Sequence, residues 1–163
     1  MEIVINSLPD ERWKDYRSLR LKALSHEPVA FGSSYEEEVL FGEDVWKARM
    51  ADGLYATEGD TVAGMIGVVF NSRIKTRHVA SIVSFYVDPV YRGRGIGQKL
   101  MDAAIEKIKS RGNIAKVELS VNPLQDRAVR LYEMKGFRVT GRQSKELCVN
   151  GVYYDELYME MVF

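Results

Sequence analysis

The stretch VDPVYRGRGIGQKLMDAAIEKIKSRG, Val87 to Gly112, passes from the end of an apolar run through three glycines into an amphipathic segment. Apolar residues recur every four positions after the glycines, at Ile96, Leu100, Ala104 and Ile108. This period predicts a helix with one buried stripe, and Gly112 is a natural residue to end it. We therefore expect a strand, a glycine turn and a helix that packs on a sheet.

The turn between that strand and that helix is built on Gly93, Gly95 and Gly97. Because glycine has no side chain, a ligand can approach the backbone closely at these positions. The first N–H groups of a helix have no partner within it and carry partial positive charge, which suits a diphosphate. Arg92 and Arg94 add positive charge. The alternative is a tight turn that uses glycine for its geometry alone.

Two common nucleotide-binding motifs do not fit this turn. A P-loop requires Gly-Lys followed by Ser or Thr, whereas Lys99 stands between Gln98 and Leu100. A dinucleotide fingerprint requires G-x-G-x-x-G, and Gln98 occupies the position of its last glycine. Both motifs are therefore excluded.

Patterns along the rest of the chain predict the order β-α-α-β-β-β-α-β-α-β-β. Strands are predicted at EIVIN, at two runs separated by Gly59-Asp60, and at RHVASIVSFYVDP, AKVELSVN, FRVTG and VYYDELYMEMVF. Helices are predicted over 11–26 with Asp10 as N-cap, around Glu36, over 43–51, after the glycines, and from Asp126 to about Lys135. The acidic run of residues 36–38 is interpreted as a solvated helix start. The order predicts an α/β (α+β) fold, with about four helices flanking a mixed, largely antiparallel sheet, in one domain spanning residues 1–163.

The composition narrows the choice of partners. Lys and Arg total 23, and so do Asp and Glu, so the chain lacks the basic excess typical of nucleic-acid binders. No apolar run approaches the roughly 18 residues of a membrane span, and the N-terminus lacks a signal-peptide pattern. We expect a cytoplasmic protein with no nucleic-acid or membrane partner. Its one cysteine, Cys148, is expected to be a small packed residue, and with only two histidines no metal site is expected.

Two segments carry a more specific signal. The first is Arg92-Gly93-Arg94-Gly95-Ile96-Gly97, which follows FYVDPVY, and the second is VNPLQDRAVRLYEMKGF, Val121 to Phe137. They match the R/Q-x-x-G-x-G/A signature and the V-x-x-x-N-x-x-A-x-x-L-Y-x-x-x-G-F segment of the GNAT superfamily of acetyl-CoA-dependent N-acetyltransferases. The order of elements also resembles that family over essentially the whole chain. The resemblance implies a GNAT-type sheet whose fourth and fifth strands splay apart.

The resemblance also implies where acetyl-CoA binds. In the family, backbone amides of the signature hold the diphosphate, and the pantetheine arm pairs with the exposed edge of the fourth strand. The family's Asn is replaced here by Gln125, and Asn122 is the alternative for that contact. The implied coenzyme site consists of Phe85, Tyr86, Val87, Arg92, Gly93, Arg94, Gly95, Ile96, Gly97, Gln98, Asn122 and Gln125.

The same resemblance implies the catalytic groups. Tyr132 stands at the family's general-acid position, where a phenol protonates the departing thiolate, and the Val87 N–H is expected to polarise the thioester carbonyl. The base is left open, because Ser81 and Val83, and Ser120 on the next strand, stand where family members carry glutamates. The alternatives are a water chain held by Ser81, Ser84 or Ser120, or a carboxylate from Glu36, Glu37, Asp155 or Glu156.

The acceptor implied by the resemblance is a primary amine of a small molecule or a peptide. It would enter between EPVAFGSSYEEE and LCVNGVYYDELY, which offer aromatic walls and negative charge at Phe31, Tyr35, residues 36–38 and residues 153–156. Hydrated loops are the simpler interpretation of these segments. A non-catalytic acyl-CoA-binding module and a pyrophosphate-binding structural domain remain as alternative functions. The strand-rich C-terminus offers an edge for a homodimer.

Overall fold

One sheet of seven strands runs through the protein, and helices cover both of its faces. A computed structural model describes residues 1–163. The elements are β1 Ile3–Asn6, α1 Trp13–His26, α2 Tyr35–Glu38, α3 Glu43–Met50, β2 Leu54–Glu58, β3 Thr61–Phe70, β4 Val79–Val87, α4 Ile96–Ser110, β5 Lys116–Val121, α5 Asp126–Met134, β6 Arg138–Val149 and β7 Val152–Val162. The strand order is β1-β2-β3-β4-β5-β7-β6, and only the β4–β5 pair is parallel. None of the helices is long and apolar enough to cross a membrane.

The predicted fold class is confirmed, with five α-helices in place of about four. The predicted helix N-cap at Asp10 is wrong. Residues 10–12 form a 3₁₀ turn, closed by the Arg12 N–H on the Pro9 carbonyl at 2.9 Å, and α1 begins only at Trp13. The tight turn takes up the residues that the sequence pattern assigned to the first helical turn.

The strand predicted at FRVTG is much longer than its sequence pattern indicates. It extends to Val149 and pairs with β7 through two register shifts, and it closes on a turn at Asn150 and Gly151, both with positive φ. Because β6 is the outer strand, its side chains are mostly exposed and show no apolar alternation. For the same reason the prediction of a packed Cys148 is wrong, since Cys148 is exposed on this strand.

Two hydrophobic cores lie on opposite faces of the sheet. The core beneath α4 and α5 contains the predicted α4 stripe, whose four side chains are at most 2% exposed, together with Leu119 and Tyr132. The core beneath α1 and α3 contains Trp46, Tyr55 and Tyr86. Burial of each such side chain contributes roughly 1.5–3 kcal/mol relative to exposure. The glycine turn is therefore anchored on its C-terminal side by a helix whose apolar stripe is fully buried.

The sheet opens between β4 and β5. Their pairing covers only three residue pairs, from Val79–Lys116 to Ser81–Glu118, although β4 continues to Val87. On its other side β4 stays paired with β3, but the register shifts between Met65 and Gly67, opposite Ser84, whose φ is +55°. A bulge of this kind increases strand twist. It turns the second half of β4 away from β5 and creates the predicted splay.

Candidate active site

A cleft of about 810 Å³ lies between the end of β4, the glycine turn and α5. Of the residues implied as coenzyme contacts, all except Arg94 and Asn122 line it. Sequence reasoning missed several other lining residues on α5, including Arg127 and Arg130. The signal available for these two arginines was their i,i+3 spacing on a helix whose neighbouring residues carry the second motif. The cleft therefore combines an open strand edge, a helix start and side-chain cations.

The glycine turn presents bare backbone to this cleft. Gly93 and Gly95 have φ of +80° and +75°, which a side chain would strain, and no atom lies within 4 Å of where their Cβ atoms would stand. The first helical bond of α4 runs from the Lys99 N–H to the Gly95 carbonyl at 3.1 Å. The N–H groups of residues 96–98 precede that bond, lack an intrahelical partner and lie in the cleft wall. This arrangement fits a diphosphate, as the sequence predicts.

The two signature arginines have different surroundings. Arg92 lines the cleft, where its Nε donates to the Val87 carbonyl at 2.9 Å and its Nη2 pairs with Glu27. Arg94 does not line the cleft, because its guanidinium pairs with Glu58 of β2 at 2.6 Å. Arg92 therefore braces the open end of β4, whereas the Arg94 side chain fastens the glycine turn to the neighbouring strand.

One backbone N–H at the end of β4 is directed into the splay. The Asp88 N–H donates to the Ala63 carbonyl at 2.9 Å, so Asp88 faces β3. Peptide groups alternate sides along an antiparallel strand, so the preceding residue, Val87, faces away from β3. The Val87 carbonyl accepts a hydrogen bond from Arg92 Nε. The Val87 N–H is thus the donor left at the mouth of the splay.

Tyr132 lies one layer behind the cleft wall. Its side chain is 6% exposed and packs between Phe85 and Phe137, with ring centroids 6.0 Å apart in both pairs. Burial raises the pKa of the Tyr132 phenol well above its ordinary value, so the hydroxyl is protonated at neutral pH. Phe85, its contact on β4, is itself a lining residue. The structure thus holds a protonated phenol behind Phe85, at the wall of the cleft.

The opposite face of the sheet carries a carboxylate beside Ser120. Ser120 pairs with Tyr158 in the β5–β7 register, so Glu156, two residues before Tyr158, lies diagonally across on the same face. Burial raises the pKa of the Glu156 carboxyl, and the hydrogen bond with Ser120 only partly offsets this effect. Leu119 faces the other way, into the core that contains Tyr132. Glu156 and Tyr132 therefore lie on opposite faces of the sheet.

The other candidate carboxylates have different environments. Glu36 and Glu37 are exposed. Asp155 accepts hydrogen bonds from the Lys145 backbone N–H at 2.9 Å and from Arg142 at 2.8 Å, which lower its pKa. Of the four candidates, Glu156 alone is half-buried with a raised pKa, a shift in the direction that favours a general base.

The interpretation of residues 36–38 as a solvated helix start is wrong for Glu38. This residue is 1% exposed and accepts two hydrogen bonds from Arg20, both at 2.9 Å, and one from Arg49 at 2.6 Å. Burial acts to raise the pKa of the Glu38 carboxyl, but the two arginines outweigh it and hold that pKa below its usual range. Arg20 also donates to the Ser84 hydroxyl at 3.2 Å. A buried charge cluster thus joins α1, α2 and α3 to the bulge of β4.

Comparisons with known proteins agree with this architecture. A model of the acetyltransferase (GNAT) family matches residues 7–137. The chain is 29% identical over 125 residues to the L-amino acid N-acetyltransferase AaaT of Escherichia coli, covering 74% of this chain and 76% of that protein. It is also 29% identical over 96 residues to a spermidine N(1)-acetyltransferase of Vibrio cholerae, covering 59% of this chain and 56% of that protein.

Solved structures show the same fold at lower sequence identity. The structure of yncA from Salmonella typhimurium, determined with its cofactor acetyl-CoA, superposes with a TM-score of 0.82 at 18% identity, covering 99% of this chain and 94% of that one. At this identity the likeness concerns the fold alone.

Proposed function

Because the chain belongs to the acetyltransferase (GNAT) family and is an acetyl-CoA-dependent N-acetyltransferase, we propose that it acetylates a primary amine of a small molecule or peptide by direct attack. The observation that carries this proposal is the splay between β4 and β5, with a bare helix start at one end and a protonated phenol beside it. The two matched relatives named above act on an amino acid and on a polyamine. Both acceptors are amines, so the proposal is confined to that class.

The geometry of the cleft supports the following coenzyme contacts. The N–H groups of residues 96–98 and the Arg92 guanidinium bind the diphosphate, and the open edge of β4 at residues 85–87 binds the pantetheine arm. Gln125 and the newly found Arg127 and Arg130 extend this wall along α5. The Val87 N–H donates to the thioester oxygen, where negative charge develops as the amine attacks.

Two side chains transfer protons in the proposed reaction, Glu156 as general base and Tyr132 as general acid. Glu156 takes a proton from the acceptor ammonium, and the free amine attacks the thioester carbon as the C–N bond forms. The C–S bond then breaks, and Tyr132 donates its proton to the departing thiolate. Glu156 passes its first proton to solvent and then carries the extra proton of the new amide nitrogen to solvent in the same way. The phenol of Tyr132 regains a proton from solvent, so the balance is one acetamide, one coenzyme A thiol and one proton released. Each such proton transfer typically contributes about 10² to 10⁴ in rate.

The deciding experiment follows thiol release from acetyl-CoA with a thiol-reactive dye. The acceptor panel contains amino acids, polyamines, aminoglycosides and peptides with free N-termini, and matched acyl-CoAs of increasing chain length test the donor. Release that depends on one amine class identifies the acceptor. Tight acetyl-CoA binding with no amine-dependent release would instead indicate the non-catalytic acyl-CoA-binding module.

The oligomeric proposal concerns the outer strand β6. It pairs with β7 on one side only, so its other backbone edge is available to a second copy, and Val139 is exposed there. We propose a homodimer through this edge. Light scattering of the eluted protein decides between one and two chains.

A further inference from the structure

Four polar side chains from four separate elements meet beneath α2. They are Arg20 of α1, Glu38 of α2, Arg49 of α3 and Ser84 of β4. Arg20 and Glu38 are 4% and 1% exposed, so their charges are removed from water and depend on each other. None of the four lines the coenzyme cleft, although Ser84 directly precedes the lining residue Phe85.

Ser84 occupies an unusual backbone position in the middle of β4. Its φ of +55° lies in the left-handed region, which a residue with a side chain occupies only where surrounding contacts hold it. It stands at the register shift that interrupts the β3–β4 ladder, which resumes at Tyr86 and Val87. Three residues further along the strand is Val87, whose N–H opens into the splay. The conformation of Ser84 therefore sets the direction in which that N–H points.

Arg20 is the side chain that holds this position. Its Nε and Nη2 bond the two carboxylate oxygens of Glu38, and its Nη1 donates to the Ser84 hydroxyl at 3.2 Å. Only the planar guanidinium fork reaches both partners at once, because a lysine ammonium is a single point charge. The Arg20 guanidinium also stacks 4.8 Å above the ring of Phe31, in the segment before α2.

Glu38 extends the same contact to the acceptor side. It is the last residue of α2, and Ser34 caps the other end of that helix by accepting from the Glu37 N–H. Arg49 of α3 also donates a hydrogen bond to the Glu38 carboxylate. The bulge of β4 and the short acceptor-side helix are therefore fastened to one guanidinium.

We propose that Arg20 is a positioning residue for acetyl transfer, which sets the β4 bulge through Ser84 and the acceptor-side helix α2 through Glu38. This inference rests on the proposed function. It assigns to Arg20 the spacing between the thioester, held at Val87, and the amine that enters past α2. A misplacement of about 1 Å between reacting groups can lower a rate by about 10²-fold. Loss of the Arg20 contacts should therefore lower kcat.

The test compares Arg20→Lys, Ser84→Ala, their double variant and Ser84→Gly. Arg20→Lys keeps the charge opposite Glu38 and loses the bond to Ser84, so we expect kcat to fall about 10- to 100-fold with the KM for acetyl-CoA changed less than threefold. Ser84→Ala should give a similar loss, and the double variant should lose no more than either single one. Ser84→Gly relieves the backbone but lacks the hydroxyl, so it should resemble Ser84→Ala.

The control is Arg17→Lys, one turn earlier on the same helix, where Arg17 contacts the Val39 carbonyl and the Trp46 ring but not Ser84. It should retain wild-type kcat. A loss of thermal stability in Arg20→Lys with unchanged kcat would show a merely structural role and overturn the proposal. Additive losses in the double variant would overturn it too, because Ser84 would then act independently of Arg20.

An NMR measurement separates this proposal from the function itself. Acetyl-CoA should shift the Val87 amide resonance in the wild type, and that shift should shrink in Arg20→Lys, whatever amine is supplied. An equal shift in both proteins refutes the positioning role even if no acceptor has been found. Absence of any acetyl-CoA effect on the wild type refutes the coenzyme site, and the positioning role with it.

Discussion

Replacing Tyr132 with Phe removes only the phenol hydroxyl and so tests its proposed role as the proton donor. The ring keeps its packing against Phe85 and Phe137, so the core beneath α5 is preserved. The phenol is protonated at neutral pH because burial raises its pKa. The variant therefore removes a proton donor without removing an aromatic contact.

The size of the effect follows from the leaving group. General acid catalysis typically contributes about 10² to 10⁴ in rate, which is roughly 3–5 kcal/mol of barrier. A thiol has a pKa of about 8.5, so its thiolate departs more readily than an alkoxide and needs less help. We therefore expect kcat of Tyr132→Phe to fall about 10²-fold, toward the lower end of that range. The KM for acetyl-CoA should change little, since the diphosphate and pantetheine contacts lie on α4 and β4.

The assay is thiol release at saturating substrates, with unfolding followed in parallel. Tyr55→Phe is the matched control, because Tyr55 is 2% exposed but belongs to the core on the other face. Tyr132→Phe should change the free energy of unfolding by less than about 1.5 kcal/mol, because the ring contacts with Phe85 and Phe137 remain. Equal turnover of Tyr132→Phe and wild type would remove Tyr132 from the mechanism, and equal losses in both variants would attribute the effect to packing.

Three further variants test other parts of the site. Gly95→Val should weaken acetyl-CoA binding in calorimetry, because the side chain would enter the diphosphate's space at a residue whose φ is +75°. The control is Gly112→Val, beyond the other end of α4, which carries the same strain at φ +78° and should bind acetyl-CoA with wild-type affinity. Glu156→Gln should lower kcat and remove the acidic limb of the kcat–pH profile. Its melting temperature should rise at neutral pH and not in acid below the ordinary pKa of a glutamate, because the cost of burying the Glu156 charge grows as the pH rises from that ordinary pKa to the raised pKa of the folded protein. Glu38→Gln should lower stability by about 3–5 kcal/mol at neutral pH, measured by denaturant unfolding, and this difference should vanish as the pH falls through the lowered pKa of Glu38.

Each of these three predictions can be contradicted by one result. Equal affinity of the Gly95 and Gly112 variants would exclude the diphosphate from the glycine turn. An acidic limb that persists in Glu156→Gln would assign the base to another group. A difference for Glu38→Gln that does not change with pH would mean that folding leaves the pKa of Glu38 unshifted.

Local signals account for the parts of the structure that the sequence predicted well. The α4 stripe and the glycine turn depend on spacings of four residues or fewer, so both can be predicted from the sequence alone. The cluster of Arg20, Glu38 and Ser84 depends on partners separated by 18 and 64 positions. Glu38 sits in a run of glutamates that local patterning assigns to solvent, and only the packed structure shows which of them is buried. The length of β6 escaped prediction because an exposed outer strand needs no apolar alternation.

In the proposed mechanism, the acid Tyr132 and the base Glu156 require the sheet to be open between β4 and β5. Tyr132 lies on the face covered by α4 and α5, whereas Glu156 lies on the other face beside Ser120. A ladder continued past Ser81 and Glu118 would separate the two groups by a hydrogen-bonded sheet. The bulge at Ser84 turns β4 away from β5 and leaves a gap between them. In the proposed mechanism this gap is both the edge that binds the coenzyme and the passage through which the amine, entering from one face, meets the thioester reached from the other.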